Sequence, residues 1–277
     1  MSYKIIADSC CDLTPDMKSE MGIISIPMTM AVGSKEFCDD ERLDMKGFMD
    51  EMRAYPGKTT SSSPPPILFQ EAIEAADDAY IVTVSDKVSG SYGNAVIGNH
   101  MAMENGNGAA YIFDSKSASA GETLIAMKLH ELIRAGLSKG SIIETVNRFI
   151  SNMNTYCVFE NYGNLQKNGR LSKNTGSLIQ ALNIKLVMGA DGNGEFALFE
   201  KCRGIRQMIQ RLLLLIESSG KDTRNENLVI SHCNNLTLAE QLRTLIKEKF
   251  NFKGIYVVPT GGLSSLYADD KGIVLAF

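Results

Sequence analysis

The feature that most constrains the fold is a repeated transition: three times in its first half, the chain carries a loop dense in hydroxyl side chains straight into the start of an apolar-striped helix. The clearest copy is Tyr80 to Tyr92, YIVTVSDKVSGSY, where a β-branched apolar run without helical period stops in Ser85, Asp86, Ser89, Gly90 and Ser91. Tyr80 to Val84 reads as a buried strand of a parallel sheet. Tyr92, Ala95, Val96 and Met101 continue as the stripe of a helix that opens near Ser89 or Ser91 with a hydroxyl at its cap. The second copy is Thr59 to Pro66, TTSSSPPP, whose composition is that of a linker. Phe69, Ala72, Ile73 and Ala76 nevertheless follow at helical spacing, with Pro66 suited to the first turn. The third runs from an apolar strand, Ala109 to Phe113, through Asp114-Ser115-Lys116-Ser117-Ala118-Ser119 into a helix that ends at Gly136.

A strand that empties into a helix N-terminus leaves unpaired N–H groups and the positive end of the helix dipole beside serine side chains. That combination suits a carboxylate or phosphate ligand, and in an open α/β sheet such junctions lie at the strands' carboxyl ends, where ligands sit. The competing reading is that the serines only cap their helices. No Gly-x-Gly-x-x-Gly or Walker pattern follows any of the strands, so a nucleotide is not the expected guest.

The other segments extend the alternation. Lys4 to Ala7 reads as a strand, Thr14-Pro15 to Gly22 as a capped helix, Ile23 to Met28 as a strand, and Asp39 to Met52 and Lys139 to Met153 as helices. Strand–helix alternation of this kind predicts a doubly wound parallel sheet with helices on both faces over residues 1–153. Beyond Asn154 the pattern changes: a strand at Thr155 to Glu160, a cationic turn at Leu165 to Ser172, and two strands flanking the glycine-rich hairpin Gly189 to Gly194. A helix from Arg206 to Glu217, a strand Leu228 to Ser231, a helix Thr237 to Phe250 and a strand Gly254 to Val258 complete a smaller C-terminal α/β domain with a mixed sheet over residues 154–277.

Composition excludes several classes. A net charge of −4 argues against nucleic acid as a partner. No apolar run approaches the ~18 residues of a membrane span, and the start MSYKIIADS lacks the apolar core of a signal peptide. The six cysteines contain no Cys-x-x-Cys pair and fit reduced, inert thiols of a cytoplasmic protein. His100, His130 and His232 are scattered, which predicts neither a metal site nor a histidine-driven triad, and no Gly-x-Ser-x-Gly elbow supports a serine hydrolase.

Five motifs together resemble the bacterial DegV family: Asp8-Ser9-x-x-Asp12-Leu13, Ser61-Ser62-x-Pro64-x-Pro66-x-x-Phe69, Ser85-x-x-Val88-Ser89-Gly90-Ser91-Tyr92, Asp114-Ser115 with Ser119-x-Gly121, and Leu165-x-Lys167-x-Gly169-Arg170-Leu171-Ser172. The resemblance spans essentially the whole chain. It implies a two-domain α/β protein that holds one long-chain fatty acid between its domains, without a cofactor, as the non-catalytic lipid-binding subunit of a fatty acid kinase. A separate ATP-binding kinase subunit then phosphorylates the bound carboxylate for phospholipid synthesis. Carried over by position, Ser61, Ser62, Ser89, Gly90 and Ser91 are expected at the ligand head group, and Arg170 and Arg203 are expected as exposed contacts to phosphate or to the partner. At the C-terminus Tyr267-Ala268-Asp269-Asp270-Lys271 replaces a His-x-Gly-Pro-Gly run common in the family. The hydroxyl of Tyr267 can still donate a hydrogen bond, but without positive charge near neutral pH. A carrier or sensor of another amphipathic anion, with no kinase partner, is the alternative.

Overall fold

The computed structural model describes residues 3–171 and 184–277; Ser172, the last residue of the cationic turn, lies outside them. The strands of the first half are β1 (Tyr3–Asp8), β2 (Ile24–Ile26), β3 (Thr29–Val32), β4 (Lys35–Cys38), β5 (Thr59–Ser62), β6 (Asp78–Thr83) and β7 (Tyr111–Asp114). Those of the second half are β8 (Thr155–Val158), β9 (Ile184–Ala190), β10 (Phe196–Arg203), β11 (Asn227–His232), β12 (Gly254–Pro259) and β13 (Ile273–Ala276). The helices up to residue 171 are α1 (Pro15–Met21), α2 (Met45–Ala54), α3 (Pro66–Glu74), α4 (Ser91–Glu104), α5 (Ala120–Arg134), α6 (Lys139–Asn152) and α7 (Gly163–Lys167). After residue 184 come α8 (Gly204–Ser218), α9 (Leu236–Lys249) and α10 (Gly262–Ala268).

These elements form three sheets. The first is four-stranded and wholly parallel, in the order β2-β1-β6-β7. The second is six-stranded and mixed, β10-β9-β8-β13-β11-β12, with only β11 and β12 parallel. Both match the expected α/β class.

The layers follow from where apolar side chains fall. Helices α3 and α4 cover one face of the parallel sheet, packing Phe69, Ile73 and Ala95 on Ile6 and Ile81. Their approach depends on Gly98, where a Cβ would lie 2.5 Å from the carbonyl oxygen of Pro66. Helices α5 and α6 cover the other face with Ile125, Leu129, Ile142 and Val146. Helix α5 also meets the mixed sheet, placing Ala120 and Leu124 in the same cluster as Val229 and Ala276. It is buried on nearly all sides at its N-terminal half because it lies between two sheets. Helices α8 and α9 close the far face of the mixed sheet through Met208, Leu212, Leu242 and Ile246.

The third sheet, antiparallel β4-β3-β5, corrects the sequence reading at two places. Thr59 to Ser62 is an edge strand rather than a linker: its backbone pairs with β3 in the register Met30↔Ser61, a long-range pairing that local composition does not encode. The helix expected from Asp39 starts only at Met45, capped by Asp44, whose carboxylate accepts from the Gly47 N–H at 3.1 Å. Residues 35–38 before it are a strand that the sequence reading left unassigned. Helix α10 and strand β13, unassigned from sequence, lie at the centre of the second half, with β13 between β8 and β11.

Candidate functional site

The parallel sheet reverses its strand order between β1 and β6, so a crevice opens beyond the carboxyl ends of those two strands. A cavity of about 400 Å³ lies there, between the parallel and mixed sheets. Its body is apolar, lined by Met28, Val84, Cys157, Phe159, Leu263 and Val274. One end is polar. Ser61 and Ser62 come from the end of β5, Ser63 follows them, and Ser89 and Gly90 come from the loop that opens α4.

Here the Ser61 hydroxyl and the Tyr267 hydroxyl lie 2.8 Å apart, joining residues 206 positions distant in sequence. The Arg170 guanidinium carbon stands 6.0 Å from the centre of the Tyr267 ring. Arg170 Nε donates to the Val88 carbonyl at 3.2 Å and Nη1 to the Asn168 carbonyl at 2.8 Å. The first bond ties the arginine to the loop that carries Ser89, and the second holds it within its own turn. Gly90 is the N-cap of α4 and supplies no side-chain cap; a Cβ there would lie 3.2 Å from Ser63 Oγ. The arrangement presents hydroxyl donors, a helix N-terminus and one guanidinium to the end of an apolar pocket, which suits a ligand with a single anionic head and a hydrocarbon body.

The structure therefore brings Ser61, Ser62, Ser89, Gly90, Arg170 and Tyr267 to one cavity. Arg170 is half-buried in the cavity wall rather than exposed at the surface as expected. Ser91 is a correction: it is fully buried, off the cavity lining, and its hydroxyl donates to Asp8 Oδ2 at 2.6 Å. As the first residue of α4 it points back to the end of β1, where burial pushes the Asp8 carboxyl up and the Ser91 hydroxyl and Val84 N–H pull it down. Arg203 is exposed at the β10–α8 junction, away from the cavity lining. Of the cysteines, Cys38 is exposed and the other five are buried and free; burial pushes the Cys10 and Cys157 thiols up.

Sequence reasoning missed the third loop's contribution. Ser117, Ala118 and Ser119 also line the cavity. Ser117 Oγ meets Thr155 Oγ1 at 2.7 Å, bridging the two halves, and Ser119 donates to Asp12 Oδ2. Ser119 has φ 57°, a strained value for a residue with a Cβ and worth a signal in itself. The 191–195 hairpin turn also contributes to the wall through Gly194 and Glu195, and the Gly194 carbonyl accepts the Ser85 hydroxyl at 2.9 Å. None of the three histidines lines the cavity, and among the described residues no cluster of His, Cys, Asp and Glu is arranged to hold a metal ion. Nor, among them, is any helix long and apolar enough to cross a membrane.

A DegV domain-containing protein of Streptococcus pyogenes serotype M1 is 32% identical over 280 residues, covering 100% of this chain and 99% of the relative. A crystal structure of a DegV family protein from Ruminococcus gnavus with vaccenic acid superposes at a TM-score of 0.94, with 33% identity and 100% of both chains covered. The Streptococcus pneumoniae fatty acid kinase (Fak) B3 protein loaded with linoleic acid superposes at 0.92, with 30% identity over 100% of this chain and 99% of that one. The family model described as "uncharacterised protein, DegV family" matches residues 2–276. This chain belongs to the DegV family.

Proposed function

We propose that this protein binds one long-chain fatty acid in the cavity between its two sheets and presents it to a separate ATP-binding kinase subunit. The observation that carries this reading is the Ser61–Tyr267 hydroxyl pair, with Arg170 beside it, in a cavity that Met28, Val84, Phe159, Leu263 and Val274 also line. The carboxylate accepts from Ser61 and Tyr267, with Ser62, Ser89 and the start of α4 beside it. Each such charge-assisted bond contributes about 1.5–3 kcal/mol. The acyl tail fills the apolar body at roughly 0.8 kcal/mol per buried methylene. The tail therefore dominates affinity, and the hydroxyls fix which end points outward. Relatives with vaccenic and linoleic acid bound support the ligand class.

In the reaction, a carboxylate oxygen attacks the γ-phosphorus of ATP held by the partner, the bond to the β-phosphate oxygen breaks, and acyl phosphate and ADP result. This chain supplies orientation and no catalytic group. In this reading residues 1–153 and 154–277 act as two domains around the lipid, and Arg203, exposed beside the start of α8, belongs to the surface the kinase subunit meets. Mass spectrometry of the protein purified from its native host tests the ligand: a long-chain fatty acid is expected at one per chain. Recovery of a different amphipathic anion, or of no lipid together with no binding of added oleate, would overturn the proposal.

A further inference from the structure

The helix that delivers Tyr267 to the cavity is short, and its N-terminus is held by the other half of the molecule. The Asp39 carboxylate accepts from the Gly262 N–H at 2.7 Å through Oδ1 and from the Leu263 N–H at 2.9 Å through Oδ2. Asp12 Oδ1 accepts from the Gly261 N–H at 2.8 Å, while its Oδ2 takes the Ser119 hydroxyl. Three successive orphan N–H groups of α10 are thus satisfied by two aspartates more than 220 residues away in sequence. Gly261, the formal cap, provides no side-chain bond of its own.

Close approach makes the clamp specific. A Cβ on Gly262 would lie 2.6 Å from Asp39 Oδ1, 2.5 Å from Leu43 Cδ2 and 2.6 Å from Met30 Cε. Met30 is also the residue whose backbone is in register with Ser61 in the β3–β5 pair. The N-terminus of α10 and the strand carrying Ser61 therefore rest on one support. Both partners of the Ser61–Tyr267 bond are located by it. Burial pushes both aspartates up, Asp12 to about 6, and the helix N–H groups that each accepts oppose that shift.

We infer that Asp39 and Asp12 are positioning residues for the head-group site: by capping α10 across the interface between the two halves they set the Tyr267 hydroxyl against Ser61. This rests on the proposed fatty acid reading for its functional consequence, but not for its geometry. The experiment has two arms. In the first, 3-fluorotyrosine is incorporated and the ¹⁹F resonance absent from Tyr267→Phe is followed in Asp39→Asn and in Asp12→Asn. The resonance is expected to shift or broaden in both variants while the remaining tyrosine resonances stay in place. An unmoved Tyr267 resonance in both folded variants would overturn the inference, whatever the ligand.

In the second arm, binding of oleate is compared with binding of methyl oleate. Asp39→Asn is expected to lower the preference for the acid about tenfold, with methyl oleate affinity held within about twofold. In the Tyr267→Phe background the same substitution should change that preference little, because both act through one hydroxyl. Equal losses for acid and ester, or additive losses in the double variant, would reduce the clamp to a purely structural role. If the unaltered protein shows no preference for acid over ester, the carboxylate reading fails instead, and the first arm still decides the positioning. Should Asp39→Asn not fold, Asp12→Asn alone carries both arms.

Discussion

The two ends of α10 use similar chemistry to opposite ends. At its N-terminus, backbone donors and the Ser119 hydroxyl meet two aspartates of the chain itself. At its other end, the hydroxyls of Ser61 and Tyr267 meet each other and, among the described residues, no further side chain, with a guanidinium nearby. The same contrast separates Ser91, whose hydroxyl is committed to Asp8, from Ser89 two residues earlier, which lines the cavity. A hydroxyl-rich loop at a helix start becomes structural where a carboxylate of the same chain reaches it, and remains free for a ligand where none does.

The largest test of this contrast is pH. Burial holds the Asp12 carboxyl at about 6 in the folded protein, above its ordinary value of 3.8. Since the folded state binds this proton more readily than the unfolded chain, ionised Asp12 subtracts from stability at neutral pH, and the loss is recovered as pH falls through 6 toward 4. Measured by urea unfolding, the stability of the unaltered protein relative to Asp12→Asn should rise by about 2 kcal/mol between pH 7.5 and 4. Asp8, Asp39, Glu122, Cys10 and Cys11, the titratable groups that face this region, are present in both proteins. A gap that is flat or moves the other way would show that the clamp does not carry a buried charge.

At the ligand end the effect appears in binding rather than in folding. Ser61→Ala and Tyr267→Phe should each reduce the preference for oleate over its methyl ester by about 10- to 150-fold, the equivalent of one charge-assisted bond, with unfolding midpoints nearly unchanged. Global unfolding of both would assign these hydroxyls to the structural class. The Ser89 and Ser91 pair sharpens the distinction within three residues. Ser91→Ala should cost about 1–3 kcal/mol of stability by leaving a buried carboxylate short of a donor and leave acid preference alone. Ser89→Ala should do the reverse, and matching phenotypes would erase the contrast. The smallest effect is at the surface: Arg203→Ala should alter stability by less than about 0.5 kcal/mol and retain lipid, yet slow acyl phosphate formation with the cognate kinase subunit. Unaltered turnover would remove Arg203 from the contact surface.

Much of this was readable in the residues, for reasons that differ by element. The parallel sheet was legible because β1 and β6 end in apolar runs buried on both faces and β7 is a shorter apolar run at the sheet edge, and α1 because Thr14, Pro15 and Gly22 are cap signals read locally. Strand β5 was not, because Thr59 to Ser62 owes its extended form to pairing with β3, and its serines look the same in a loop. The candidate site was half legible. Ser61, Ser89 and Arg170 sit in dense motifs, whereas Asp39 is one acidic residue in a run of several. Nothing near Asp39 in sequence announces that it reaches a helix more than 220 positions on. Glu122 was likewise silent: it is buried with neither carboxyl oxygen hydrogen-bonded, and burial beside Asp8 and Asp12 pushes it far up, so its uncharged form is favoured. Ser91 misled because adjacent serines on a helix start face different directions.

Helix α5, wedged between the parallel and mixed sheets, has a consequence for how cargo is exchanged. Levering the halves apart like a clamshell would wet the flank that faces the mixed sheet, with Ala120 and Leu124 among the side chains uncovered and a buried leucine worth about 1.5–3 kcal/mol. Local displacement of rim segments such as the 191–195 turn, anchored to Ser85 by a single hydroxyl bond, disturbs far less. Opening at the rim therefore costs less buried apolar surface than parting the two halves.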